Sequence, residues 1–400
     1  MNAAGLAWRR IVRRPAATLL NVLLLALGVA SIAATMLALG QATRAAERNA
    51  AAADLVVGSR TSPAQLVLSG IFHLDAPPPP FALSLLQPVL AHRLVERWVP
   101  VALGDSLAGH RVVGTRPADF AGLYGGVLAA GAWPQGAGQA VLGADAARRT
   151  GLAVGAGFAT THGLAEAGEP HHGHGYRVAG VLARTGTLLD KLVLVSLESI
   201  WQAHAAPPSP PAFAARAGDP TGQVSGVLIR FRSPLAAAVL PRLVASVPTL
   251  VSASPAHEAA KLFALVQWGS DGAAMLGGLL LVCAALAVGA GLMASHRERM
   301  RDVAVLRLLG ASPRITATAV LLEATFVGLL GAAAGLLAAH AAVEFAGSRL
   351  PVSAPPLSGR VFDPLELVIV AAALAVSWIG AALPAWRVQR AAVADALRME

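Results

Sequence analysis

Apolar positions are distributed along this chain in two distinct patterns. Four stretches are apolar at nearly every position and free of charge. They lie between Arg14 and Arg44, Asp271 and Arg297, Glu323 and Glu344 (reaching back to Arg314 with one acid inside), and Glu366 and Arg387. Each holds at least about 18 to 20 residues, enough for a helix to cross about 30 Å of hydrocarbon. The pattern therefore predicts four membrane-spanning helices. Between the first two stretches the pattern changes. Short β-like runs recur at Asp54–Val57, Arg97–Leu103, Arg111–Gly114, Tyr176–Leu182, Leu192–Leu197 and Val227–Phe231, separated by Gly and Pro turns. Helical stretches are expected at Ser84–Arg97, Ala144–Thr150 and Leu235–Ser246, and the proline runs 77–80 and 207–211 read as rigid linkers or loop tips. About 225 residues suffice for a core of their own, so this segment is expected to form one α+β domain or two small lobes.

Composition agrees with a membrane protein. The chain is 56% hydrophobic and 13% charged, where a soluble domain carries about a quarter charged residues. The net charge of +9 comes from 29 arginines and two lysines. The arginines form no soluble patch of the kind nucleic acid needs; they cluster at Arg9, Arg10, Arg13 and Arg14, at Arg297 to Arg314, and at Arg387, Arg390 and Arg398, beside the apolar windows. If four helices alternate, these clusters share one side, which the positive-inside rule assigns to the cytoplasm together with both termini. The first window is longer than the about 7 to 15 residues of a signal-peptide core and reads as a retained helix. Ahead of it, Leu6, Trp8, Ile11 and Val12 interleave with arginines as in a short interfacial amphipathic helix.

Several chemistries are excluded. Cys283 is the only cysteine, so no intramolecular disulfide or CxxC site exists. Lys191 follows Asp190 and Lys261 follows Ala260, so no lysine follows a glycine and no P-loop is possible. Any ATP used with this chain is hydrolysed by another polypeptide. No nucleophile with a base partner and no HExxH stands out, and the chain carries no sequence argument for catalysis.

Four groups remain as candidates. In His296–Ser312, HRERMRDVAVLRLLGAS, Val303, Leu306 and Leu309 form a narrow apolar stripe. Arg297, Glu298, Arg299, Arg301 and Arg307 supply the polar surface, and Gly310 is placed to stop the helix. By itself such a helix also suits anionic lipid. Gly331 and Gly335 form a GxxxG with Gly328 near the same face, a pattern for close helix packing that extends to contact between protomers. Glu323 is an acid inside a membrane window, read as structural, with ion passage as the other possibility. His162, His171, His172 and His174, flanked by Glu166 and Glu169, offer metal donors on a Gly-interrupted stretch that reads equally as a solvated loop.

The run RERMRDVAVLRLLGAS, from Arg297 to Ser312, resembles the RERxREIAvLRAlGAs signature of FtsX-like permeases, the MacB-type ABC transporter family. The N-terminal LAWRRIVRRPAATLLNVLLLALGVA, the run LLEATFVGLLGAAAGLLAAH and the ending ALPAWRVQRAAVADALR are also similar to the family. Asp302 stands where Glu is usual and Leu308 where Ala is common. DLVVGSRTSPAQLVLSGIFHLD, Asp54 to Asp75, resembles a segment of a less characterised branch, in which His73 and Asp75 are either ligand-binding or a buried entry to the outer domain.

The resemblance implies a fold of four transmembrane helices with a large α+β extracytoplasmic domain, the MacB-like periplasmic core, between helices 1 and 2. The expected organisation is a cytoplasmic amphipathic helix at 1–16, transmembrane helix 1 at 17–40, the outer domain at 41–267 and helix 2 at 268–294. A cytoplasmic coupling segment at 295–314, helix 3 at 315–343, a short outer loop at 344–363, helix 4 at 364–386 and a cytoplasmic tail at 387–400 complete it. The resemblance also implies a non-catalytic subunit of a bacterial inner membrane, forming a homodimer or heterodimer with a similar permease and docking through its coupling helix on an ABC ATPase that binds ATP and Mg. A periplasmic adaptor and membrane lipid are further expected partners. Candidate cargoes are lipoproteins, lipids, peptides and hydrophobic toxins. The alternatives are a complex that switches a cell-wall hydrolase or sensor kinase without transport, and a membrane-anchored receptor without an ATPase.

Overall fold

The computed structural model describes residues 3–13, 15–162, 175–204, 222–294, 312–350, 354 and 357–390. The chain divides into two compact units, one of Met1–Gln41, Leu265–Arg349 and Pro356–Glu400, the other of Ala42–Ala264 and Leu350–Pro355.

The first unit is helical. The short α1 (Ala3–Arg13) packs on a later helix with Trp8 edge-on to Phe326 at 6.1 Å between ring centroids. The long α2 (Pro15–Ala50) has 36 residues, and its last quarter, from Ala42, belongs to the second unit. α2 and three helices that follow the second unit in sequence are each long and apolar enough to cross a membrane.

The second unit is a three-layer structure around one large mixed sheet. Its strands are β1 (Leu55–Ser59), β2 (Phe81–Ala82), β3 (Val95–Leu107), β4 (His110–Thr115), β5 (Leu128–Gly131), β6 (Gln139–Leu142) and β7 (Gly157–Phe158). They continue as β8 (Thr161–His162), β9 (Tyr176–Leu182), β10 (Val193–Ser196), β11 (Gln223–Val224), β12 (Gly226–Phe231) and β13 (Leu250–Ala253). The order is β13-β1-β12-β3-β4-β10-β6-β9-β5, with β7 on β9, β8 on β3, and β11 paired with β2 apart. Neighbours are antiparallel except for the β10·β4 and β6·β9 pairs.

The strands are apolar on both faces, and the two-residue period of a strand divides their side chains between two cores. Val57, Val112, Val193 and Ile229 fill one, with α4 (Gln87–Leu90), α6 (Ala144–Thr150), α7 (Leu197–His204) and α8 (Ala236–Ala245) covering that face. Val56, Val113, Leu194 and Leu228 fill the other, covered by α3 (Pro63–Gly70) and α5 (Pro117–Leu123), whose Phe120 is fully buried. The helix expected over Ser84–Arg97 is a short 3-10 turn and α4, after which β3 begins at Val95. Pairing decides this: Val95 and Arg97 are in register with Phe231 and Arg230 of β12, and a strand with a fixed partner outweighs local helix propensity.

Three long helices follow: α9 (Pro255–Ala294), α10 (Pro313–Arg349) and α11 (Glu366–Arg390). With α2 they bury a seam of Leu25 and Val29, Ala284 and Val288, Val320 and Ala324, Ala373 and Ala381, while Leu23, Leu279, Leu337 and Ile379 point outward. At about 1.5 Å per residue, α2 and α9 are about 54 and 60 Å long, well beyond a bilayer core. The helices therefore outrun the apolar windows. Arg44, Glu47 and Arg48 mark where α2 leaves hydrocarbon, but its Ala-rich backbone continues to Ala50. At the far end of this unit the α10–α11 connection is pinned: Gly359 N–H donates to Glu344 at 2.8 Å, Gln41 exchanges two hydrogen bonds with the backbone of Ser358, and His340 Nε2 lies 3.0 Å from the buried Glu366 carboxylate.

Candidate functional site

The two long helices that flank the outer segment in sequence lead into adjacent strands of its sheet. α2 ends at Ala50 and β1 begins at Leu55; β13 ends at Ala253 and α9 begins at Pro255. β1 and β13 are hydrogen-bonded neighbours, with Val56 opposite Ala253 and Val57 opposite Ser252. The strand end that receives α2 is thus the end that releases α9. The joints are short and fixed. Asn49, near the end of α2, accepts the N–H of Leu188 at 2.9 Å, and the Arg230 guanidinium donates to the carbonyl of Ala51. Asp54 donates its N–H to Ile229 O at 3.0 Å and accepts that of Phe231 at 2.7 Å, while Ala52 and Ala53 are buried. On the other side the buried Glu258, in the first turn of α9, holds Lys261 at 2.8 Å.

Within the bundle, the small-residue motif is occupied by a helix of the same chain. A Cβ on Gly331 would fall 2.6 Å from Leu25 Cβ, and one on Gly335 2.7 Å from both Ala26 O and Val29 Cβ, so α10 meets α2 at backbone distance. A Cβ on Gly328 would meet Ser377 of α11 at 2.9 Å. These three glycines serve close packing inside one chain, where the spacing alone leaves a contact between protomers equally open. Glu323 is half-buried on α10 and has a bonding partner. The coupling stripe of Arg297, Glu298, Arg299, Arg301, Val303, Leu306, Arg307, Leu309 and Gly310 lies outside the described residues.

His171, His172 and His174 also lie outside them, and His162 stands opposite Asp105 in the β3–β8 register. Among the described residues no group of three or more His, Cys, Asp or Glu is arranged to hold a metal. What the sequence did not disclose is a buried polar cluster beside this strand. Asp105 is fully buried, with His204 Nε2 at 3.5 Å from its carboxylate and His204 Nδ1 at 2.9 Å from Ile200 O. The hydrogen bond to Asp105 raises the His204 pKa above that of free imidazole. Burial, with the Asp105 charge adding to it, pushes the Tyr176 hydroxyl up to about 12, and its ring stacks on Phe158 at 5.5 Å. A second anomaly is His73, in left-handed backbone (φ 53°) and buried with neither ring nitrogen hydrogen-bonded. Burial, reinforced by the nearby Arg111 charge, lowers its pKa to about 3, so the ring is neutral at physiological pH.

Two family profiles match the chain in succession. The MacB-like periplasmic core domain covers residues 18–247, more than half of the chain, and the FtsX-like permease C-terminal domain covers 274–393. The chain belongs to the MacB-type FtsX-like permeases. The first profile takes in most of α2 and the outer unit through α8, the second most of the last three helices; the β13–α9 joint falls between them. No curated protein matches this permease in sequence. Two solved structures are similar to it. The periplasmic region of MacB from Actinobacillus actinomycetemcomitans is 10% identical, covers 53% of this chain and 94% of its own, and has a TM-score of 0.35. The extracellular domain of the noncanonic ABC-type transporter YknZ from Gram-positive bacteria is 12% identical, covers 50% and 98%, and has a TM-score of 0.31. The family assignment stands on the profiles. A permease of this family is a membrane-spanning, generally non-catalytic subunit of an ABC transporter.

Proposed function

We propose that this permease passes ATP-driven motion from a separate ATPase to its outer unit, to export or extract an amphiphilic or hydrophobic substrate such as a lipoprotein, lipid, peptide or toxin. The observation that supports this most is the β1–β13 joint. Two helices longer than a bilayer end on adjacent, hydrogen-bonded strands through connections of four residues and one residue, so their displacement reaches the sheet without a flexible linker to absorb it. The chain has no P-loop and takes its energy from a partner. Arg297 to Gly310 is the contact with that partner: Leu306 and Leu309 seat in an apolar cleft and Arg299, Arg301 and Arg307 meet acidic residues at its rim. The protein works as a homodimer or heterodimer of permeases in a bacterial inner membrane, with both termini cytoplasmic, ATP and Mg bound by the ATPase, and a periplasmic adaptor as a further partner.

The test is a mild-detergent pull-down of tagged chain with ATPase assay of the eluate. Wild type is expected to bring down an ATP-hydrolysing protein, and Leu306→Asp with Leu309→Asp to lose it while still inserting in the membrane. Copurification that survives the double substitution sinks the coupling assignment. A wild-type preparation free of ATPase leaves the receptor reading in its place.

A further inference from the structure

The outer unit holds a cavity of about 380 Å³ whose walls come from four separated stretches of chain. One wall is Pro77–Pro80. Of the two readings of this run, linker or loop tip, the structure shows a loop held against the sheet: the hydroxyl of Ser59 on β1 donates to Pro79 O at 2.6 Å, and Pro78 is buried. Four consecutive prolines present rings and no N–H group, on a backbone whose φ angles are already fixed. The facing walls are Ala102 and Leu103 of β3, Ile200 and Trp201 of α7, and Val224 of β11.

Several polar atoms at this cavity have partners within the protein. Trp201 Nε1 donates to Gln223 O at 2.8 Å, Ser225 Oγ accepts the N–H of Leu103 at 3.1 Å, and His204 is held by Ile200 O and Asp105. His204, the one titratable side chain at the wall, lies 3.5 Å from the buried Asp105 carboxylate. Mostly apolar walls and no N–H donor on the proline side disfavour a polar or charged ligand, most of whose hydrogen bonds with water would go unreplaced. At about 30 Å³ for a group the size of a water or methylene, the space takes roughly a dozen such groups.

We propose that this cavity is a binding site for a single alkyl chain, about a dozen carbons deep, such as the tail of an amphiphile whose polar head remains outside. It rests on the permease reading in one respect, that the occupant is cargo; binding itself needs neither ATPase nor ATP.

The test uses the full chain in lipid nanodiscs with a homologous series of photoactivatable fatty alcohols, the cross-linked residues being mapped by mass spectrometry. Labelling of the peptides that carry Pro77–Pro80 and Trp201 is divided by labelling of α9 and α10, which samples the bilayer. A methylene gains the same stabilisation in either apolar environment, so this ratio is expected to stay level up to roughly a dozen carbons. Each further methylene gains only in the bilayer, and the ratio then falls about three- to fourfold per carbon. Ala102→Leu, which places three more carbons in the cavity, is expected to move the break to chains about three carbons shorter. Trp201→Arg, at a partly exposed wall position where the chain tolerates a charge, is expected to lower the ratio about tenfold at every length. Labelling confined to the membrane helices overturns the proposal, as does a ratio without a break, or a break that Ala102→Leu leaves in place. The Leu306→Asp chain separates the two readings: copurification that survives it overturns the coupling assignment alone, and loss of cavity labelling in wild type and variant alike overturns the cavity proposal alone.

Discussion

The helical bundle and the outer unit bury their residues in opposite ways. In the outer unit the large side chains are inside, Phe120, Leu66 and Leu189 all at or near zero exposure, and the few charged groups buried with them, such as Asp105 and Glu258, face partners such as His204 and Lys261. In the bundle small residues, Ala284, Ala324, Ala373, Gly331 and Gly335, take the closest helix contacts beside a few large ones such as Leu25, while many large ones, Leu279, Leu337 and Ile379 among them, face outward at 59 to 72% exposure. The difference is one of solvent. Water drives large apolar groups inward, whereas lipid gives them no such preference and helices associate where small residues let backbones touch.

Substitutions that test each unit on its own terms sharpen the contrast. The largest effect is expected from Phe120→Ala, which empties the second core at a cost of about 3–5 kcal/mol. Thermal unfolding followed by the β signal should fall sharply while the helical signal in detergent holds. Loss of both together would break the distinction between the units.

Next comes acid. The unfolded chain protonates His73 near 6.5, but the folded outer unit resists until about 3. Its contribution is complete above 6.5 and is lost as pH falls toward 3, amounting to a few kcal/mol. His73→Asn accepts the same left-handed backbone and should flatten the pH dependence of unfolding between about 6.5 and 5, before carboxylates titrate. His204 works in the opposite sense. Its raised pKa gives stability that is present below 6.5 and lost as pH rises through the folded value, so Asp105→Asn should weaken the fold more at pH 6 than at pH 8.

Gly335→Leu should damage only the bundle. The added atoms meet the carbonyl of Ala26, which has no rotamer with which to yield, so about 1–3 kcal/mol or more is expected. Helix melting in detergent measures it, and an unchanged melt would show that α10 and α2 do not touch there. The smallest effect is Asn49→Ala, about 1 kcal/mol from the bond to Leu188. Hydrogen exchange at the Leu188 amide, accelerated in the variant and unchanged elsewhere, is the fitting readout.

The contrast also explains what could be read from sequence. Four membrane helices were legible because an all-apolar surface leaves an unbroken charge-free window. Strands β10 and β12 were legible because both faces are covered and most positions in them are apolar. β7, β8 and β11 were not, since two residues such as Gly157 and Phe158 carry no period and are strands only through their partners. The ends of α2 and α9 escaped for a related reason: hydropathy marks where lipid stops, while Arg44 and Glu47 continue a helix that belongs with the sheet. The segment proposed to meet the ATPase is recognisable as a motif, Arg297 to Ser312, because its residues follow one another in the sequence. The cavity was invisible, because Pro77, Leu103, Trp201 and Val224 meet only once the sheet has brought together positions over 140 residues apart, and the prolines by themselves looked like a spacer.

The β1–β13 pair has a mechanical consequence. Antiparallel strands that are both gripped at the same end respond to load according to its direction. If the two helices slide past each other along the strand axis, the register from Val56–Ala253 to Ser59–Leu250 is strained all at once, and its hydrogen bonds share the force. If the helices are instead pried apart sideways, the bonds at Val56–Ala253 bear the load first and fail one after another, as in a zipper. The joint is stiff to a piston stroke and weak to splaying.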